Sequence, residues 1–112
     1  MPQSFGLLIS LYTVQKPTAM TRKRYQYQIN QLLMDLVRRY PQFNFQNHCY
    51  RRIAYDNVLG KKWTERYQVF VQECTKVEIE AVIQKLESYR VDQATLLLDN
   101  EASLNWRRLA RK

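Results

Sequence analysis

From Tyr25 onward the apolar residues recur at helical intervals. Tyr25, Ile29, Leu32, Leu33, Leu36, Val37 and Tyr40 fall at i, i+4, i+7, i+8, i+11, i+12 and i+15, one face of an amphipathic helix. Pro41 ends that helix, because its ring excludes the helical conformation from the residue before it and it has no N–H to continue the ladder. Gln42-Phe43-Asn44-Phe45-Gln46 then reads as a short extended connector whose phenylalanines plug the core. Asn47 is a suitable N-cap for a second helix, with Cys49, Ile53, Asp56 or Asn57, Gly60, Trp63, Tyr67, Phe70 and Val71 along its stripe. Gly60 in this pattern costs about 1 kcal/mol relative to alanine. It marks either a close helix crossing or the point where one helix is really two.

Thr75-Lys76-Val77-Glu78 is a capping box, in which the Thr hydroxyl bonds the N3 amide and the Glu carboxylate reaches back. A third helix follows with Ile79, Val82, Ile83, Leu86 and Tyr89 on one face, and Asp92 caps a fourth. The stripe of that fourth helix reads Leu97, Leu98, Ala102, Trp106 and Leu109, with Asp99-Asn100 as the point of any interruption. The expected fold is all-α: a single domain over residues 20–112, built as a small bundle of about four helices with short connections. Pro17 separates the apolar run Phe5–Val14 from this domain, so residues 1–19 read as an extended arm or a leader. Initiation at Met20, which would leave residues 1–19 without a role, is an open alternative.

Composition narrows the function classes. The chain has 112 residues, a net charge of +8 and an isoelectric point near 9.7, which favours anionic partners. The charge is uneven. Residues 16–66 carry eleven basic and three acidic side chains, residues 67–106 three basic and seven acidic, and residues 107–112 four basic and none acidic. His48, Cys49 and Cys74 together are fewer than the four ligands of a structural zinc site, and the cysteines form neither a CxxC pair nor a disulfide framework. Gly6 and Gly60 are too few and too isolated for a phosphate-cradling loop. No stretch reaches the roughly 18 apolar residues of a membrane span, and no basic segment precedes Phe5–Val14 as a secretion signal requires. The expectation is a cytoplasmic protein without metal or cofactor.

The segment FNFQNHCYRRIAYDNVLGKKW, from Phe43 to Trp63, resembles a stretch that recurs in short uncharacterised bacterial proteins, cyanobacterial ones among them. SLNWRR, from Ser103 to Arg108, is similar to the ends of the same proteins. Some of them carry an acetyltransferase label. That label implies a glycine-containing pyrophosphate loop for coenzyme A between a strand and a helix, and this sequence has no such loop.

Three functions follow from the residues. The first is a non-catalytic module that binds nucleic acid or another polyanion. Arg51, Arg52, Lys61, Lys62 and Arg66 would make the main contacts, Arg22, Lys23 and Arg24 would add reach, and Tyr55 would stack on a base. The second is a protein-interaction adaptor, including a homodimer in which basic and acidic faces meet, anchored by Trp106 or the Phe5–Val14 run. The third is a small enzyme using His48, Arg52, Tyr55 and Asp56, the first three of which share a helical face at i, i+4 and i+7. Neighbouring His48 and Cys49 point about 100° apart on a helix, which disfavours a direct pair.

Overall fold

The computed structural model describes residues 15–110. Five α-helices order them: α1 (Ala19–Arg39), α2 (Asn47–Leu59), α3 (Phe70–Glu73), α4 (Lys76–Val91) and α5 (Gln93–Ala110). Single 3-10 turns stand at Pro41–Phe43 and Trp63–Glu65. The all-α expectation holds, with four long helices and one short one among the described residues. None of these helices is long and apolar enough to cross a membrane.

α1 follows the sequence pattern closely. Ile29, Leu32, Leu33, Leu36 and Tyr40 are buried against α4, on which this helix chiefly packs. The helix ends as Pro41 requires, with the Tyr40 N–H donating to the Leu36 carbonyl. Its start reaches back past the boundary expected at Met20. The Thr18 hydroxyl accepts the Thr21 N–H, Pro17 is buried, and the Gln15 carbonyl accepts the Lys76 N–H at 2.8 Å. Residues 15–19 thus belong to the bundle, whereas the readings of Phe5–Val14 lie outside the described residues.

The connector after α1 is not extended. Pro41–Phe43 coils into a 3-10 turn, and Asn44 turns the chain at φ 57°, a left-handed conformation that asparagine tolerates. The phenylalanines pack on the core as expected, in a run Tyr40–Phe43–Phe45–Tyr50 whose neighbouring ring centroids lie 5.5–5.6 Å apart. α2 is capped by Gln46 rather than Asn47, and without a side-chain bond.

Gly60 resolves the question posed by the second stripe. It is the C-cap of α2, at φ 71°, with its N–H on the Asp56 carbonyl at 2.7 Å. A Cβ there would meet nothing within 4 Å, so backbone conformation and not a close helix crossing calls for glycine. Beyond it the chain makes a 3-10 turn and the one-turn α3. Phe70 of α3 is buried and stacks on Tyr55, with centroids 4.0 Å apart and planes 6° from parallel. Trp63 meets both rings edge-on.

α4 begins with the capping box read from the sequence. Thr75 Oγ1 accepts the Glu78 N–H at 3.2 Å, and Glu78 Oε1 accepts the Thr75 N–H at 2.9 Å. Ile79, Val82, Ile83, Leu86 and Tyr89 are all buried. Asp92 accepts the Thr95 N–H at the start of α5, again as expected, and α5 runs without interruption to Ala110.

The phase of α5 departs from the expected stripe. Leu97, Leu98 and Leu109 are exposed, while Leu96 and Ser103 are buried. Apolar periodicity gives the inner face only when packing is apolar. Here the face toward the bundle carries Asp99, Asn100, Ser103 and Arg107, which have polar partners on α2 and α4.

Two measurements test this part of the structure. Gly60→Ala should lower stability by about 1–2 kcal/mol in chemical denaturation, the cost of a left-handed alanine; a gain in stability would place position 60 inside a helix. Burial raises the phenol pKa of Tyr50 and Tyr55 to about 12, and burial with the Glu78 carboxylate does so for Tyr67. These phenols hold their protons more tightly folded than unfolded, where the value is 10.0. Their contribution is therefore complete below pH 10 and is lost as pH rises toward about 12. Urea midpoints should fall steeply from about pH 9 to about pH 11, and equal midpoints would contradict the burial of these rings.

Candidate nucleic-acid interface

The polar face of α5 converges on Asp56, which α2 carries at full burial. A carboxylate offers about four acceptor sites, and all are occupied. Oδ2 accepts from Ser103 Oγ at 2.6 Å and Arg107 Nε at 2.8 Å. Oδ1 accepts from Arg107 Nη2 at 3.2 Å and from the Trp63 N–H at 2.9 Å. The guanidinium grips the carboxylate with two parallel bonds, the strongest geometry for such a pair. The backbone carbonyl of the same residue accepts the Gly60 and Lys61 N–H groups, so Asp56 ends α2, shapes the loop after it and docks α5.

Ser103 extends the network. Its hydroxyl accepts from Arg52 Nη1 at 2.8 Å while donating to Asp56, and Arg52 Nη2 donates to Asn100 Oδ1 at 2.8 Å. Burial first, and the nearby Arg107 charge second, push the Arg52 pKa down. Asn57 donates to the Ile53 and Asp99 carbonyls, and the Asp99 carboxylate accepts from Lys85 and from the Tyr89 hydroxyl. Among the described residues no buried side-chain polar atom lacks a partner.

This arrangement sorts the residues singled out from the sequence. Arg22 is an internal clamp, donating to the carbonyls of Val71, Gln72 and Pro17. Arg52 is bound within the network, and Arg66 pairs with Glu78 at 3.4 Å, its guanidinium 5.3 Å from the Tyr67 ring centre. Tyr55 is buried with its ring face on Phe70, so that face is closed to a stacking base. Lys23 and Arg24 are exposed on α1, Arg51 lies half-buried on α2, and Lys61 and Lys62 follow its C-terminus. No carboxylate of the described residues lies within 4 Å of these five cations.

The residues of the enzyme reading do not converge. Asp56 has no free lone pair for a substrate proton or a metal, and Tyr55 is closed off by Phe70. His48 is exposed in the first turn of α2. Its Nε2 lies 3.7 Å from Cys49 Sγ, closer than the helical spacing suggested, and Cys49 is half-buried rather than a core residue. An open groove between α2 and α4, lined by Asn57, Val58, Ala81, Gln84, Lys85 and Ser88, offers one charged group, Lys85, already paired with Asp99.

Sequence reasoning missed Ser103, Asn100 and Arg107. Their signal was present as a polar stripe, Asp99, Asn100, Ser103 and Arg107, at helical spacing opposite the leucines. Around Asp56 the result is an excess of positive charge. Arg107 bonds the Asp56 carboxylate, Arg52 bonds Ser103 beside it, and the Lys61 N–H bonds the Asp56 carbonyl, while Arg52, Lys61 and Lys62 have no carboxylate within 4 Å among the described residues. No family model, curated protein or solved structure matches the chain.

The network sets a stability expectation. Asp56→Ala leaves the Arg107 guanidinium, the Ser103 hydroxyl and the Trp63 amide without their acceptor, and should cost about 3–5 kcal/mol. Urea denaturation checks this; a loss below about 1 kcal/mol would mean that the pair has the low worth of a surface ion pair.

Proposed function

We propose that the chain binds nucleic acid through the basic surface where α2 and its following loop meet the end of α5. The main contacts come from Arg51, Lys61 and Lys62, with Lys23 and Arg24 on α1 adding charge. The observation that carries this reading is the uncompensated cation cluster around Asp56. Arg107 is paired with the Asp56 carboxylate, Arg52 beside it bonds the neutral Ser103 and Asn100, and the two lysines that follow α2 have no acid within 4 Å among the described residues. A fixed positive centre of this kind attracts phosphate, and its backbone anchoring holds the lysines close together.

The reading differs from the one drawn from the sequence in two respects. Contacts are to phosphate, without a tyrosine stacked on a base, because the Tyr55 ring is covered by Phe70. Arg22, Arg52 and Arg66 act from within, holding the surface in shape and adding to its field. Binding of this kind is sequence-tolerant and salt-sensitive.

Titration of nucleic-acid-free protein against labelled duplex DNA and single-stranded RNA at about 50 and 200 mM salt is the test. With about five phosphate contacts, affinity should fall about five hundredfold across that range. Lys61→Ala/Lys62→Ala should reduce the logarithmic salt slope by about two and leave the urea midpoint unchanged. Absence of binding to both ligands at the lower salt would overturn the proposal.

A further inference from the structure

α5 is amphipathic in the reverse sense for a helix on the outside of a bundle. Its polar residues Asn100, Ser103 and Arg107 turn inward to α2, while Leu98 is 71% exposed and Leu109 58% exposed. On that outer face Leu98, Ala102, Asn105 and Leu109 are spaced by four, three and four residues. This is the a/d spacing of a coiled-coil seam. Glu101 and Arg108 flank the seam on one side, one heptad apart. Both are exposed, and neither has an ionic partner among the described residues.

We propose that this face joins two copies of the chain, with α5 packed antiparallel on α5 of the second copy about a two-fold axis. Antiparallel pairing places each a residue against a d residue of the other helix. Leu98 then lies against Leu109 of the second copy, and Ala102 against Asn105 of the second copy. In the same alignment Glu101 faces Arg108 of the second copy, and the two-fold axis repeats the pair, so the surface is self-complementary as an isologous contact must be. A parallel arrangement would instead stack like residues and leave Glu101 and Arg108 without each other.

The composition of the seam supports the same partner. Ala102 at its centre lets the two backbones approach closely, and Asn105 fixes register at some cost in affinity. With four seam residues per helix the contact is small, so the dimer dissociates on dilution. Lys61 and Lys62 are not part of the seam, and the proposal stands or falls independently of nucleic-acid binding.

Sedimentation equilibrium of the full chain near physiological ionic strength tests it, over concentrations from about 10 µM to about 1 mM. The weight-average mass should rise with concentration from 13.6 kDa toward twice that value. Leu98→Asp should abolish the rise. Glu101→Arg and Arg108→Glu should each weaken association about tenfold or more, because each places like charges opposite one another. The combined exchange Glu101→Arg/Arg108→Glu should restore it, since the pair is re-formed with its signs reversed. All three substituted positions are exposed on α5, and unchanged far-ultraviolet dichroism confirms folding of every variant. A monomer at all concentrations, association that survives Leu98→Asp, or a combined variant no better than the single ones would each overturn the proposal.

Discussion

A carboxylate cannot be buried without satisfying its lone pairs, and most of this structure's second half follows from how Asp56 meets that demand. Its four bonds come from three residues on two segments: the loop after α2 through the Trp63 amide, and α5 through Ser103 and Arg107. Arg52 then ties Ser103 and Asn100 back to α2. The remaining core, formed by α1, α2 and α4, is held in the ordinary way by apolar burial of Leu33, Leu36, Ile53, Ile79 and Leu86. α5 is attached differently: among its described side chains Leu96 is the one buried apolar residue, and Asp99, Asn100, Ser103 and Arg107 meet the bundle through polar bonds.

That division explains what could be read from the sequence. Local rules were enough wherever they governed the structure. The seven-residue stripe of α1, its stop at Pro41, the Thr75–Glu78 box and the Asp92 cap all depend on neighbours within a turn or two, and all are present. Gly60 showed as a breaker, although only its φ of 71° distinguishes a helix end from a helix crossing. The inner face of α5 was misassigned because apolar periodicity says nothing of direction when a polar stripe of equal regularity runs opposite. Deciding between them required knowing that Asp56, some fifty residues away, was buried.

The same long-range dependence limited the reading of the candidate site. Counting positive charge marks out residues 16–66 as the basic half of the chain, but charge alone does not separate a cation that meets solvent from one that clamps the fold. Arg22 bonds carbonyls near residue 71, and Arg52 bonds a hydroxyl near residue 103. Neither bond leaves a mark in the local sequence. Arg51, Lys61 and Lys62 are half-buried with no acid within 4 Å among the described residues, and Asp56 orders the backbone on either side of the two lysines. Inward use of polarity on α5 also turns its leucines outward. One buried carboxylate is therefore linked both to the basic surface and to the apolar seam.

The most direct measurement of this dependence is amide hydrogen exchange in wild type and Asp56→Asn. The amide keeps the shape of the side chain but can no longer accept four hydrogen bonds or balance a guanidinium charge. If the Asp56 network docks α5, amides of Leu97–Leu109 and of Trp63 should exchange about ten- to a hundredfold faster in the variant, with those in the middle of α1 and α4 much less affected. Unchanged protection of α5, or a uniform loss across all helices, would contradict a structure in which this one carboxylate holds the last helix in place.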